Sequence, residues 1–440
     1  MLEHDALSIA KEAGTTGILV WEHREGKGEW KGMCLWSEIM DSYKGDARQI
    51  LEENPNLSPE DNAIVIFTSG TTGLPKGVLS THRMFLTNLF NVLASSRRAL
   101  LRRGDALPSL PGAPSNVPQA AILVSVPLFH VTGSTSLSMI ATFGGMKVVF
   151  MRKWIPDEGA RLIKKENITL AGGVPSMVSD LINSASGSLP LTGLLFGGAP
   201  APDWLVESSR TAFPSAVMSQ AYGLTETNSV AVGFAEVLAH NVIRGLAAPV
   251  CDILIVKNDK AVPPGEMGEV WLRGPDIMKG YWGDAAATAA AITQDGWLRT
   301  GDIGYLDHEG FLYIRDRIKD LIIRGGENID SVSVENAVSA DDRLLEVAAV
   351  AVPDKKLGEL VSVVVSVKPA YHGKVKEEEV IDTARKRLPR FAVPVMILFS
   401  EDRLPRNPAG KILKNELRKV ARAEWEKRLS SGKTAGSSKL

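Results

Sequence analysis

The chain has 440 residues, 44% apolar and 23% charged, with a formal net charge of −1. That balance belongs to a folded globular protein of two or three domains and excludes a disordered or fibrous chain. The near-zero charge gives no electrostatic reason to expect nucleic acid or an anionic membrane as a partner.

In chain order, the N-terminal "MLEHDALSIAKEAG" carries acidic residues where a signal peptide needs a basic region and an apolar core. "AIVIF" (63–67) reads as a buried strand, and "MFLTNLFNVLASSRRALLRR" as the helix that follows. "RRGDALPSLPGAPSNVPQ" is a proline-rich surface loop. Further strands are expected at "AILVSVPLF", "GGMKVVFM", "ITLAGGV" and "TGLLFGG", with a helix at "DWLVESSRTAF". Strands alternating with helices predict an α/β fold with a mainly parallel sheet. From about Ile243 to Arg315 the pattern turns to short strands ("DILIV", "GEVWLRG", "GFLYIRD"), which predicts a small β-rich subdomain. "VAAVAVPD", "LVSVVVSVKP" and the helix "KEEEVIDTARKRL" then form a compact α+β unit. The chain ends in a polar tail, Ser438–Lys439–Leu440, which is the receptor-read peroxisomal address. Its apolar runs are far short of a membrane span. The two cysteines, Cys34 and Cys251, lie far apart without histidine clusters, so neither a disulfide framework nor a zinc site follows, and a reducing compartment is expected.

Several stretches carry chemistry. "FTSGTTGLPKGVL" (67–79) packs glycines, hydroxyls and Lys76 between apolar runs, the composition of a phosphate cradle. Its spacing is not that of the usual P-loop, because Lys76 is followed by Gly77 rather than by Ser or Thr. "FGGAP" (196–200) is either a plain strand-to-helix turn or bare backbone that lets a flat ring approach where open α/β sheets bind ligands. In "SQAYGLTETN", Tyr222 offers an aromatic face, Thr225 a hydroxyl, and Glu226 a carboxylate suited to magnesium on phosphates; a mere helix cap is the alternative, disfavoured by the tyrosine and glycine beside it. Asp302, in a tight turn between glycines, has the chemistry to accept both hydroxyls of a ribose, and Arg317 presents a planar fork for phosphate oxygens. Lys411 stands on a glycine hinge in "LPRNPAGKILK", although a lysine taken alone is more often an ordinary surface residue.

The ordered set is more specific than any member of it. "TSGTTGLPKG", "PLFHVTG", "GGAP", "QAYGLTE", "RTGD", "RIKDLIIRGGENI" and "PRNPAGKI" resemble the motif series of the adenylate-forming superfamily, in order and approximate spacing, from Asp61 onward. The resemblance implies an acyl-CoA synthetase that uses ATP, magnesium and coenzyme A. A carboxylate attacks the α-phosphate of ATP to give an acyl-adenylate and pyrophosphate, and the thiol then displaces AMP. It further implies that Thr68, Ser69, Gly70, Thr71, Thr72, Gly73 and Lys76 cradle the departing phosphates. Gly198, Ala199 and Pro200 would flank adenine, with Tyr222 and Gly223 against it, and Thr225 would bond the α-phosphate. Glu226 would hold magnesium, while Asp302 and Arg317 would take ribose and phosphate. His130 would stand beside the reacting carboxylate, and Lys411 would neutralise charge in the transition state. Lys319 would be the hinge of a mobile C-terminal domain that brings Gly326 to the thiol channel in the second step.

The domains implied are a large one over 1–318, a small one over 319–428, and the tail at 429–440. Two departures stand out. "GENIDSVSVENAV" keeps only Glu335 of two glutamates usual there, and only 67 residues precede Thr68, fewer than is usual, so the large domain is expected to lack its first α/β portion. "PLFHVTG" followed by "GGVPSMV" looks most like fatty-acyl members, which suits a peroxisomal address and its import receptor. An aromatic-acid ligase of the coumarate type, or a catalytically idle nucleotide-binding remnant, are the alternatives.

Overall fold

The computed structural model describes residues 19–20, 34–46, 52, 54–68, 75–102, 104, 106–107, 118–184, 188–235, 244–407 and 410–431. Ser69–Gly73 of the phosphate loop, most of the proline-rich segment and the tail therefore lie outside the described residues. The chain divides into two compact units, Met1–Ser58 and Pro59–Leu440. In the first, strands Leu19–Val20 and Cys34–Leu35 pair in parallel and lead into helix Trp36–Ser42.

The second unit is built on a twelve-stranded sheet. Its parallel half runs Lys147–Phe150, Ala121–Val124, Leu170–Gly173, Gly193–Gly197, Val217–Tyr222, each hydrogen-bonded to the next. Alternation along these strands sends Leu123, Ala171, Leu194, Phe196 and Met218 into a core under helices Pro156–Lys165, Pro175–Ser184 and Asp203–Ala212. The opposite face, with Ile122, Val124 and Leu195, packs under the segment 132–143 and helix His82–Arg102. The sheet continues through antiparallel strands Val232–Ala235, Arg244–Ala247, Leu312–Arg317, Leu298–Leu306, Gly268–Arg273 and Asp252–Lys257. The β-rich stretch thus extends the parallel sheet edge to edge.

Two expectations need correction. "AIVIF" forms strand Asn62–Thr68, but it belongs to a separate antiparallel sheet with Lys76–Thr81 and Gly280–Tyr281. It is also not buried: only Ile66 is covered, while Val65 and Phe67 face solvent. "AILVSVPLF" is a strand only over Ala121–Val124, because the chain turns at Pro127 into a π-helical segment, Thr132–Ser138.

Beyond Ile322 the chain builds a second sheet. Glu327–Ile329, Ile322–Arg324, Gly358–Val367 and Leu344–Asp354 pair in that order, with Met396–Ser400 parallel to Gly358–Val367. Helices Ser331–Val338 and Glu377–Arg385 cover one face through Val334, Val338, Val380 and Ala384; helix Lys414–Ser430 covers the other through Leu417, Ala421 and Trp425. Glu335, the glutamate kept in the departing motif, ties these layers together. It accepts the Ala349 N–H at 2.9 Å and pairs with Lys414 at 2.7 Å.

Candidate active site

The cleft opens where parallel strands end. Gly193–Gly197 runs out into Gly198, Ala199 and Pro200, and Val217–Tyr222 into Gly223. These residues line a cavity of about 1260 Å³ together with Asp302, Arg317, Lys319 and Lys411. Gly223 is held by close approach: a Cβ there would come within 1.5 Å of the Ser229 carbonyl oxygen, so no other residue fits without moving the loop.

Asp302 is the hub. It is 3% exposed, accepts the Tyr222 hydroxyl at 2.7 Å on Oδ2, and faces Arg317 Nε at 3.1 Å through Oδ1. The pairing register sets this up, since Asp302 lies opposite Arg317 across two antiparallel strands. It therefore stands inside strand Leu298–Leu306 rather than in the tight turn expected; Gly301, at φ 71°, only kinks that strand. Burial, then the Asp302 charge, pushes the Tyr222 phenol far up, so it stays protonated and donates.

Lys411 reaches the same cleft from the other sheet's side. Its loop is closed by Asn407, whose Oδ1 accepts the Lys411 N–H and whose own N–H donates to the Lys411 carbonyl, both at 2.9 Å. Gly410, at φ 87°, allows the turn and leaves the loop against Val174, whose side chain lies 2.9 Å from where a Cβ would stand. Burial lowers the Lys411 ammonium to about 8; Arg317 adds to that shift and Asp302 opposes it. His130 is lowered as well, by burial and then by Lys411, so it is neutral at physiological pH. The Thr132 N–H donates to His130 Nδ1 at 3.3 Å, which leaves the ring proton on Nε2.

A second group lies where strands Asn62–Thr68 and Lys76–Thr81 pair. Thr68 stands opposite Lys76 there. The Lys76 ammonium sits 4.8 Å over the ring of Tyr281, and the Tyr281 hydroxyl donates to Glu226 Oε1 at 2.8 Å. Burial, then Glu226, raises the Tyr281 pKa, so this donor also keeps its proton. Tyr281 is the link that sequence reading missed; its signal was the aromatic pair after glycine in "MKGYW". Thr225 precedes Glu226 in a 3₁₀ turn, pinned by the Met278 N–H on the Glu226 carbonyl at 2.8 Å. Asn228 supports it from below, donating to the Asp276 carbonyl at 2.9 Å.

Among the described residues no three His, Cys, Asp or Glu side chains gather into a metal cage. A single carboxylate with phosphate oxygens and water is the usual manner in which magnesium is held, and Glu226 fits that donor set. Lys319 lies in the turn after Arg317, with its carbonyl accepting from Arg418 at 3.3 Å and Asp320 paired to the same arginine at 3.3 Å. Gly326, at φ 90° in the turn before Glu327–Ile329, does not line the cleft. The arrangement unites Lys411 with Gly198, Ala199, Pro200, Tyr222, Asp302 and Arg317 in one cavity and leaves Gly326 outside it.

The family model for AMP-binding enzymes matches residues 11–282, and that for the AMP-binding enzyme C-terminal domain matches 333–411. The chain belongs to the AMP-binding enzyme family. Among its relatives is 2-succinylbenzoate–CoA ligase of Bacillus subtilis, 31% identical over 428 residues, covering 96% of this chain and 81% of the relative. The ligase of the same name from Bacillus licheniformis is 36% identical over 372 residues, covering 83% and 71%. Similar solved structures include O-succinylbenzoate coenzyme A synthetase (MenE) of Bacillus subtilis with ATP and magnesium, at TM-score 0.72 and 29% identity over 94% of this chain and 82% of that one. ATP-bound MatB from Rhodopseudomonas palustris gives TM-score 0.70 and 25% identity over 83% and 69%. As an AMP-binding enzyme of this kind, the protein is an AMP-forming acid–thiol ligase: it activates a carboxylic acid with ATP through an acyl-adenylate and passes it to CoA.

Proposed function

We propose that the acid activated is an aromatic carboxylic acid of the 2-succinylbenzoate kind. Relatives that cover most of this chain carry that acid in their names, and the expectation of a fatty acid yields to them. The observation that carries the assignment of roles is the meeting of Lys411 with Asp302, Arg317 and Tyr222 in one cleft. In this reading Tyr222, Gly223 and Gly198–Pro200 receive adenine, and Asp302 receives the ribose hydroxyls. Thr225 and the stretch from Thr68 to Lys76 take phosphates. Glu226 would hold magnesium, which would supply neutralising charge to the phosphates. Lys411 and Arg317 bring two cations to the face where the acid's oxygen meets phosphorus, so charge that builds there is met by fixed partners. His130, neutral and with its proton on Nε2, donates to the acid rather than repelling Lys411. Lys319 is the pivot for withdrawing Lys411 before the thiol step, and 1–318 and 319–428 are the bodies it joins.

Pyrophosphate release with a panel of acids tests this. 2-Succinylbenzoate should give release, followed by CoA-dependent AMP formation, well above any fatty acid. A fatty acid preferred over every aromatic acid would restore the earlier expectation, and no release with any acid would mean an idle remnant. We also infer a peroxisomal destination and its import receptor from Ser438–Lys439–Leu440. A fluorescent fusion without those three residues should remain in the cytosol; import despite their loss sinks that reading.

A further inference from the structure

Two arginines precede Lys411 in "DRLPRNPAGK". Arg403 crosses to helix Pro175–Ser184, where its Nη1 and Nη2 donate to Asp180 Oδ2 and Oδ1 at 3.1 and 2.5 Å. A guanidinium laid on both oxygens of one carboxylate fixes direction as well as distance. Asp180 is 7% exposed, and its Oδ2 also accepts the Trp154 indole N–H at 3.0 Å. Trp154 is itself set against Gly159, where a Cβ would come within 2.7 Å of the ring. On its own side Arg403 lies 3.7 Å from Glu346, the carboxylate that takes Arg406 at 2.8 Å and the Leu404 N–H at 2.7 Å. Arg406 then adds a bond to Ser176 Oγ at 3.1 Å, on the same helix as Asp180. The base of the Lys411 loop is thus clamped between Glu346 and one helix of the large domain.

We propose that Arg403 is a positioning residue for adenylate formation: its fork on Asp180 sets the Lys411 loop against the nucleotide cleft. This rests on the role assigned above to Lys411. When the C-terminal domain turns for the thiol step, Asp180 gives up the guanidinium and keeps only the Trp154 N–H. Breaking two charge-assisted bonds between one guanidinium and one carboxylate opposes that turn. Arg403 and Asp180 therefore stabilise one arrangement and not the other, which is what shifts a two-state balance.

The test is a double-mutant cycle of Arg403→Ala and Asp180→Asn, with Arg403→Lys as the conservative variant. Each single change should lower kcat for acid-dependent pyrophosphate release about tenfold, with the double no worse than either. Thioester formation from a supplied acyl-adenylate should be unchanged or faster, and Arg403→Lys should recover part of the loss. Hydrogen exchange in the peptide spanning 403–413, measured without substrates, should quicken in Arg403→Ala. Equal losses in both half-reactions, or additive singles, overturn the proposal. Should the wild-type chain release no pyrophosphate with any acid, the Lys411 reading fails by itself. Exchange then decides the clamp, and unchanged protection in Arg403→Ala overturns it.

Discussion

Lys411→Ala should abolish acid-dependent pyrophosphate release while sparing thioester formation from a supplied acyl-adenylate. Lys411, in the loop before helix Lys414–Ser430, lines the cleft with Asp302 and Arg317, whose charges act on its ammonium. Removing a positioned charge from the reacting phosphate is expected to cost on the order of a hundredfold, about 3 kcal/mol of barrier. Gly326→Leu should do the reverse. In the arrangement described, Gly326 faces open space, so a side chain there blocks nothing that adenylation uses. At φ 90° a leucine adds a local backbone cost of about 1–2 kcal/mol, which falls on stability rather than on the first step. Its block would come when the turned domain presents Gly326 to the thiol. The paired assays are pyrophosphate release and acyl-CoA formation from preformed adenylate. Equal depression of both by both variants would show that one site does not alternate between two arrangements.

The first half-reaction should also fall as pH rises through about 8, where the buried Lys411 ammonium of the free enzyme gives up its proton. The sign follows from the cause. Burial and Arg317 disfavour the charged form, so the cation is present below that pH and lost above it, while Asp302 and Asp320 hold the shift back. Measured as kcat/KM for ATP, the decline should approach about tenfold per pH unit above the break. His130 adds nothing to that limb, because its own titration is pushed below the ordinary histidine range. Lys411→Arg, slower throughout because the fork replaces a point charge, should lose the break, since a guanidinium keeps its charge to beyond pH about 12. Identical profiles for the two proteins would remove Lys411 as the titrating group.

What the sequence disclosed was governed by the range of each interaction. Strands such as Gly193–Gly197 and Val217–Tyr222 carry their own apolar pattern, and glycines at their ends mark where backbone must lie bare. The pairing of Asp302 with Arg317 was not legible, because a register between strands depends on which strands become neighbours. The same holds for Tyr281 on Glu226 and for Arg403 on Asp180, contacts between residues distant in the chain. "AIVIF" misled because five apolar residues in a row read as buried, whereas its sheet covers only Ile66. The role of Glu335 was hidden for a related reason: its partner Lys414 arrives from the last helix.

The continuous twelve-stranded sheet has a consequence for recombining this protein with its relatives. Tyr222 and Asp302 sit on strands joined through the ladder Val217–Tyr222, Val232–Ala235, Arg244–Ala247, Leu312–Arg317, Leu298–Leu306. A crossover between them in the chain would splice two parents inside one hydrogen-bonded surface, and the bond from the Tyr222 hydroxyl to Asp302 would then have to form across the splice. A crossover in the turn at Lys319 cuts no strand and exchanges the second sheet whole. Such a hybrid inherits Asp302 and Arg317 from one parent and Lys411 from the other, and its seam must reproduce several matches, among them the donor's arginines at positions 403 and 406 on the recipient's carboxylate at 180 and hydroxyl at 176.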